Sequence, residues 1–523
     1  MEPNIIHWEK IRTKISDKDN MQHFLKTKSI FVNKQTWQLL GIFIGIRLLS
    51  LLLFDHALIQ AILMFGTLMA FGVIYFKSVD LAWMIVLGEL FLGGAGHFFE
   101  FFGLSLRSML VATFLILWVL HHSSMRNLRH MLKIKHKIFY NFIPLAVFVI
   151  IGVIVGITNN HGLVVVFRDL IPFSFLLLIL PFYHYLQKPT TQEYLIRLLL
   201  VFIIGSALFS IFTFIWYSGG FGALQDTFYH WFRDVAMGKI TDMSTGFFRI
   251  VLPEHLLIVP GVLLICSLLM REESHHKLWR FFLILSLIIL VLDLSRTYFL
   301  ALIIGLIFLK YKHKWSRWLI ISSTTLVLFM AIFVSFSIAS SSGKSLGLEL
   351  FGVRIGSVLA PETETSTYTR MTLLEPILET IKAHPLLGSG LGASLTFYDP
   401  VKFQNVRTTQ FDWGYLELFA ELGLFGFLSF ISILGLILYE LVMKIESMSD
   451  YHDFYVGILG GIVALVIMTI TSPALFHVLG IFYLVMALTL AMKPVTIFEK
   501  ILPTLYRIFH RLEEKLGEEK TSA

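Results

Sequence analysis

Apolar residues along this chain come in long runs broken by short polar and charged intervals. A helix needs about 20 largely apolar residues to cross the hydrocarbon core of a bilayer, and about fourteen runs meet that need. They lie near 36–54, 57–76, 80–102, 104–122, 138–158, 163–186, 194–217, 250–270, 279–295, 297–312, 317–337, 413–441, 454–471 and 474–492. The pattern predicts an all-α polytopic membrane protein of about 14 transmembrane helices, with one long extracytoplasmic loop containing short helices. On this reading residues 1–35 are a cytoplasmic N-terminal segment, and 36–337 hold the first eleven spans with a smaller external loop near 218–249. Residues 338–412 form the large external loop, 413–492 the last three spans, and 493–523 a cytoplasmic amphipathic tail resting on the inner membrane surface.

Cations set the orientation, because short cytoplasmic loops carry the excess of Lys and Arg. The stretches SSMRNLRHMLKIKHK, REESHHKLWR and KYKHKWSR all fall on one side under this count, together with both termini. One missed span would put neighbouring basic loops on opposite sides.

Composition agrees with the pattern. Hydrophobic residues make up 56% of the 523 and charged ones 15%, with a mean hydropathy of +0.77. Soluble domains carry roughly 25% charged residues, so a soluble globular enzyme is excluded. The net charge of +7 sits in clusters between apolar stretches, which reads as helix-flanking loops and not as a nucleic-acid surface. Cys266 is the only cysteine and lies in an apolar run, leaving no intrachain disulfide and no thiolate metal cluster. The polar N-terminal stretch lacks the apolar core of a signal peptide, so no cleavage is expected.

Ionisable residues inside spans are costly and are functional candidates by default. Arg47, Glu89, His97, Glu100, Arg107, Arg168 and Asp169 qualify. Glu89, His97 and Glu100 flank GGAG, where small residues permit close helix packing. Two readings stand for them: a structural ion-pair network with Arg107, or a proton or substrate path. In VLDLSRTYFLALIIGL, Arg296 is the sole full cation of a long apolar stretch and should emerge at the outer surface, in a tight turn. A lone interfacial arginine is often only a snorkelling anchor, but the turn around Arg296 is too short to let it escape.

Within the long loop, STYTRMTLLEPILETIKAHP predicts a helix capped by Thr365 or Ser366, with Met371, Leu374, Ile377 and Ile381 at helical spacing, ending at His384–Pro385. Gly388, Gly390 and Gly392 in PLLGSGLGAS then permit tight turns. Without a preceding strand they are weak evidence for a phosphate cradle. NVRTTQFDWGYLELFAELGLFGF leads into the next span and places Asp412 at the water–membrane boundary, beside Trp413 and Tyr415. There an interfacial aromatic belt with Asp412 as helix N-cap is the structural alternative to a site.

SRTYFLALIIGL, the helix containing Arg370, HPLLGSGLG and DWGYLELFAELGLFGF occur in the order seen in the bacterial O-antigen ligase and O-antigen polymerase superfamily, which this chain resembles most over roughly 245–440. The resemblance implies a metal-independent, inverting glycosyltransferase without cofactor, in the bacterial cytoplasmic (inner) membrane. It would act at the outer face on a polyprenyl-pyrophosphate-linked oligosaccharide. A glycan acceptor, the lipid bilayer and a chain-length regulator are the implied partners. Arg296 matches the family's Ser-Arg motif and Arg370 the arginine ahead of the His-Pro-Leu-Gly segment. Arg249, in STGFFRIVLPEH, is a looser match. These three are the expected pyrophosphate ligands, since a guanidinium is permanently charged and offers a fixed fork of donors. The acceptor hydroxyl needs a base. Family ligases carry a His-Asn pair where this chain has Asp412-Trp413, which favours a polymerase with Asp412 as the base. His384 is the second catalytic candidate. Tyr415, Trp413 and Glu417 are expected acceptor or glycan contacts, with Glu417 also in reserve as base. A ligase moving a finished glycan to lipid or protein is the alternative, and a lipid-linked oligosaccharide flippase or other transporter ranks lower, lacking paired halves with interrupted helices.

Overall fold

The computed structural model describes residues 34–122, 140–271, 276–356, 365–399, 403–447 and 452–492, apart from 95, 102, 187 and 244. The N-terminal segment, the loop SSMRNLRHMLKIKHK and the amphipathic tail lie outside the described residues.

Helices α1 (Lys34–Leu52), α2 (Ala57–Lys77) and α3 (Val79–Leu92) come first. Ser78 caps α3 by accepting from the Leu81 N–H. After α3 the glycines turn the chain into a two-residue hairpin, β1 (Glu100–Phe101) with β2 (Leu104–Ser105), and then α4 (Leu106–His122). Next are α5 (Phe142–Thr158), α6 (Leu163–Ser174), α7 (Ile179–Tyr185) and α8 (Pro189–Ser218). α9 (Thr227–Asp234), capped by Asp226, precedes the antiparallel pair β3 (Lys239–Asp242) and β4 (Phe248–Val251). Four helices follow: α10 (Ile258–Leu269), α11 (His276–Asp293), α12 (Arg296–Phe308) and α13 (Trp315–Ser340). The long loop folds into α14 (Leu348–Gly356), α15 (Thr365–Ala383) and the hairpin β5 (Leu395–Asp399) with β6 (Gln404–Thr408). The described chain ends in α16 (Gly414–Ser447), α17 (His452–Met468) and α18 (Val478–Met492).

The expectation of about 14 transmembrane helices is not met. The fold is all-α apart from the three small hairpins, but among the described residues only 6 helices are long and apolar enough to cross a membrane. They are Lys34–Leu52, Ala57–Lys77, Leu163–Tyr185, Thr190–Ser218, Trp315–Ser340 and Gly414–Ser447. Every predicted run does contain a helix, yet many are cut short: α3 has 14 residues, α10 has 12, α12 has 13 and α18 has 15. The physical reason is that apolarity alone does not separate a helix facing lipid from one buried among other helices. α10, α17 and α18 are buried along nearly their whole length, α10 packing on α17 at the centre of the core. α2 and α13 instead expose large apolar side chains, among them Ile62, Phe65, Met69, Phe76, Ile320 and Val327. A water-facing surface does not carry such patches. The apolar helices mark a multi-pass membrane protein.

Candidate functional site

Three segments far apart in sequence bring cations together. In the β3–β4 pair Thr241 faces Arg249 and Lys239 faces Val251, so the two-residue strand period puts Lys239 and Arg249 on one face, opposite buried Ile240 and Ile250. The Lys239 ammonium is pushed below its ordinary value, first by desolvation and then by the positive charges of Arg249 and Arg370. Asp412 pulls the other way, and Arg354 adds to the positive field. Strand, α14 and α15 thus share one electropositive region with Asp412 at its edge.

Asp412 does not cap α16. It lies outside the helix with φ 56°, a left-handed conformation uncommon for a residue with a side chain. The helical ladder starts with the Glu417 N–H donating to the Trp413 carbonyl at 2.8 Å. Freed from capping, the Asp412 carboxylate stands 3.9 Å from Arg370 Nε. The Trp413 indole N–H donates to the Arg370 carbonyl at 2.9 Å and latches α15 to the start of α16. Three of the sequence-predicted residues therefore meet.

Arg249 is positioned from behind. Its Nε donates to the Asp293 carbonyl at 2.6 Å, and a terminal nitrogen lies 3.8 Å from Asp293 Oδ1. Asp293 Oδ2 is 2.9 Å from His255 Nδ1, and His255 Nε2 is 3.2 Å from Ser210 Oγ, all buried. This Ser–His–Asp series resembles a nucleophilic triad in its order of atoms, but it is sealed inside the bundle and ends on an arginine. Arg296 opens α12 three residues after Asp293, and the next residue, Thr297, shares a 2.7 Å hydrogen bond with Thr471.

Beside the cations lies a cavity of about 310 Å³, lined among others by His97, Arg107, Asp169, Glu417, Glu421 and His477. Glu417 is within electrostatic reach of Asp412 and Asp169, and its Oε2 is buried with no hydrogen-bond partner. Burial, and then the Arg107 charge, push the His477 imidazole down to about 4. His97 hydrogen-bonds Glu100 and holds that carboxyl below its usual range. Arg107 reaches the Glu89 carbonyl at 3.4 Å. Around Arg107 the structure thus shows one His97–Glu100 pair and a backbone contact at Glu89, and Arg47 belongs to a different pair. It bonds buried Glu254 at 2.9 Å and the Leu92 carbonyl at 2.8 Å while stacking on Phe43.

The glycine loop is not a phosphate cradle. Its amides are already engaged: Ser389 and Gly390 donate to the carbonyls of Ala420 and Glu421, Leu391 to Gly152, and Gly392 to Glu421 Oε1 at 3.1 Å. Gly390, at φ 93°, lies so close to α5 that a Cβ would sit 2.2 Å from the Gly156 nitrogen. The loop plugs a break in α16 at Gly423, where φ is 66°. Beyond the break, Leu424 and Phe425 donate to the Pro385 and Leu386 carbonyls. Non-helical backbone inside a packed bundle survives only when its polar groups are met by protein.

Other predicted residues fall elsewhere. His384 is exposed at the far end of α15, about 20 Å along the helix from Arg370. There it lines a separate open cleft of about 520 Å³ with Glu379, Asn159 and His161. The Tyr415 hydroxyl donates inward to the Val466 carbonyl at 2.9 Å and packs on Phe427 and Phe476. Sequence reasoning missed Lys239, Arg354, His255 and Asp293. For the last two the only signal was the cost of an Asp and a His in apolar surroundings.

Residues 281–431 match the family described as O-antigen ligase. The matched stretch runs from α11 into α16 and carries Arg296, Arg370, Asp412 and Glu417, while Arg249 and Lys239 precede it. No curated protein matches the chain. The family match and the apolar helices support a membrane protein of the O-antigen ligase/polymerase superfamily with an enzymatic role.

Proposed function

We propose that this chain polymerises surface-polysaccharide repeat units, as a metal-independent inverting glycosyltransferase acting on polyprenyl-pyrophosphate-linked glycan at the outer face of the bacterial cytoplasmic membrane. The observation that carries the reading is the convergence of Arg249, Arg370 and Lys239 beside Asp412. Departure of a pyrophosphate gathers negative charge, and fixed cations aimed at that charge are usually the largest catalytic effect. Arg249, held through Asp293 and His255, arrives with its orientation already set. Arg370, latched through Trp413, does likewise from the other side. Arg296, at the start of α12, is the third pyrophosphate ligand. Asp412 takes the proton from the acceptor hydroxyl, leaving Glu417 and Trp413 to contact the glycan. His384, at the other end of α15, has no part in this step.

The ligase reading shares this chemistry and differs in the acceptor; the description of the matched family favours it. One experiment separates the two and tests the site. Surface and lipid-linked glycan are profiled on gels from the native host with wild type, a deletion, Arg370→Ala and Arg370→Lys. A polymerase deletion loses the long ladder and leaves single repeat units, whereas a ligase deletion strands full-length polymer on the carrier. Arg370→Ala should reproduce the deletion, with transfer down about 10²–10³-fold, and Arg370→Lys should recover only part, lacking the fork. Full transfer by Arg370→Ala would remove the proposed site.

A further inference from the structure

A second constellation lies at the opposite end of α12 from Arg296, about 20 Å along the helix. His313 sits in the turn between α12 and α13, and His452 and Asp453 open α17. His313 Nδ1 is 2.6 Å from the Leu309 carbonyl, an acceptor only, so this nitrogen carries the hydrogen. His313 Nε2 then faces Asp453 Oδ1 at 2.9 Å, and His452 Nε2 faces the same oxygen at 3.1 Å. The three atoms all lie within 4.8 Å of one another. His313 and Asp453 side chains are only 2% and 7% exposed, and His452 is 29% exposed.

With Nδ1 committed as donor, a neutral His313 presents a lone pair to a carboxylate oxygen, and two acceptors repel. A single divalent cation satisfies all three lone pairs together. Tetrahedral zinc holds its ligand atoms roughly 3.3 Å apart, near the 2.9 and 3.1 Å separations of the two imidazoles from Asp453 Oδ1, with all three ligand atoms within 4.8 Å. The Leu309 carbonyl on the far side of His313 is the outer partner that metal-binding histidines use to fix tautomer and ring orientation. Ser267 supports the other ligand element, its hydroxyl donating to the Asp453 carbonyl at 2.5 Å. Two imidazoles and one carboxylate suit zinc or a neighbouring first-row ion, while magnesium and calcium prefer all-oxygen shells.

We propose that His313, His452 and Asp453 form a binding site for zinc or a similar first-row divalent cation, clamping the α12–α13 turn to the start of α17. The site stands apart from the arginine cluster, so the cation takes no part in glycosyl transfer, and the inference does not depend on that reading.

Full-length protein, purified in detergent and stripped with chelator, is titrated with Co(II), whose visible bands are intense only in tetrahedral sites, and separately with Zn(II). The expected result is one Co(II) per chain with the intense bands, displacement by Zn(II), and a rise of several degrees in Tm. His452→Gln, on the exposed side of the site, and Asp453→Asn should each weaken Co(II) binding at least tenfold and abolish the Tm rise. The proposal is overturned if wild type takes up no cation, or if His452→Gln and Asp453→Asn keep the wild-type spectrum and Tm response.

Discussion

Gly390→Ala tests whether the glycine loop is a structural plug in α16. A Cβ at this position meets the Gly156 nitrogen at 2.2 Å and its Cα at 2.7 Å, both rigid backbone of α5. The separation has to open to at least 3.0 Å, and φ 93° is strained for any side chain. Backbone strain of this kind costs about 1–3 kcal/mol. Moving the loop also weakens the bonds from Gly390 to the Glu421 carbonyl (3.0 Å), from Leu391 to Gly152 (2.9 Å) and from Asn159 to Ser389 (2.9 Å). Each is worth about 1 kcal/mol net, so losing all three brings the total to about 4–6 kcal/mol. At about 1 °C per kcal/mol for a chain of this length, the Tm of detergent-purified protein should fall by about 4–6 °C. Gly435→Ala is the control, because nothing lies within 4 Å of its would-be Cβ in mid-helix. There alanine should be neutral or stabilise by about 0.5–1 kcal/mol. Equal Tm values for the two variants would refute the plug.

Two further outcomes follow from buried charges. Arg47→Met strands the Glu254 carboxylate and should cost about 3–5 kcal/mol; adding Glu254→Gln should restore much of that loss, as read from Tm in a double-mutant cycle. His477, ordinarily near 6.5 and lowered to about 4 in the fold, binds fewer protons folded than unfolded across that interval. Stability from this group is therefore full above pH 6.5 and falls toward pH 4, by up to about 3 kcal/mol; His477→Phe should flatten that part of the Tm–pH curve.

Helix positions were legible because apolar runs are long and sharply bounded, and α1, α2, α8 and α13 lie close to their predicted bounds. Which of them cross a membrane was not legible, since α10, α17 and α18 are as apolar as lipid-facing helices for a different reason: they are packed against other protein. The meeting of Arg370, Asp412 and Trp413 was foreshadowed by motif order, which places α15 and the head of α16 in one recurring arrangement. Pairings such as Arg47 with Glu254, 207 positions apart, follow only from tertiary packing. So does the meeting of His313 with Asp453; in sequence His313 was one more member of a basic loop. The glycines were rightly read as tight turns, but whether their amides face a ligand or a helix depends on a break in α16 that no local pattern announces.

That break has a consequence for life in bilayers of unequal thickness. Beyond Gly423, α16 continues from Leu424 to Ser447, about 24 residues and roughly 36 Å long. This exceeds a typical hydrocarbon core of about 30 Å, and a helix with surplus length tilts to match its surroundings. In an unbroken helix any tilt would swing Asp412 and Glu417 relative to Arg370. With the helical ladder interrupted at Gly423 and the short upper half moored to the glycine loop and to α15, a tilt of the long half is not passed through a continuous helical ladder to the residues above the break.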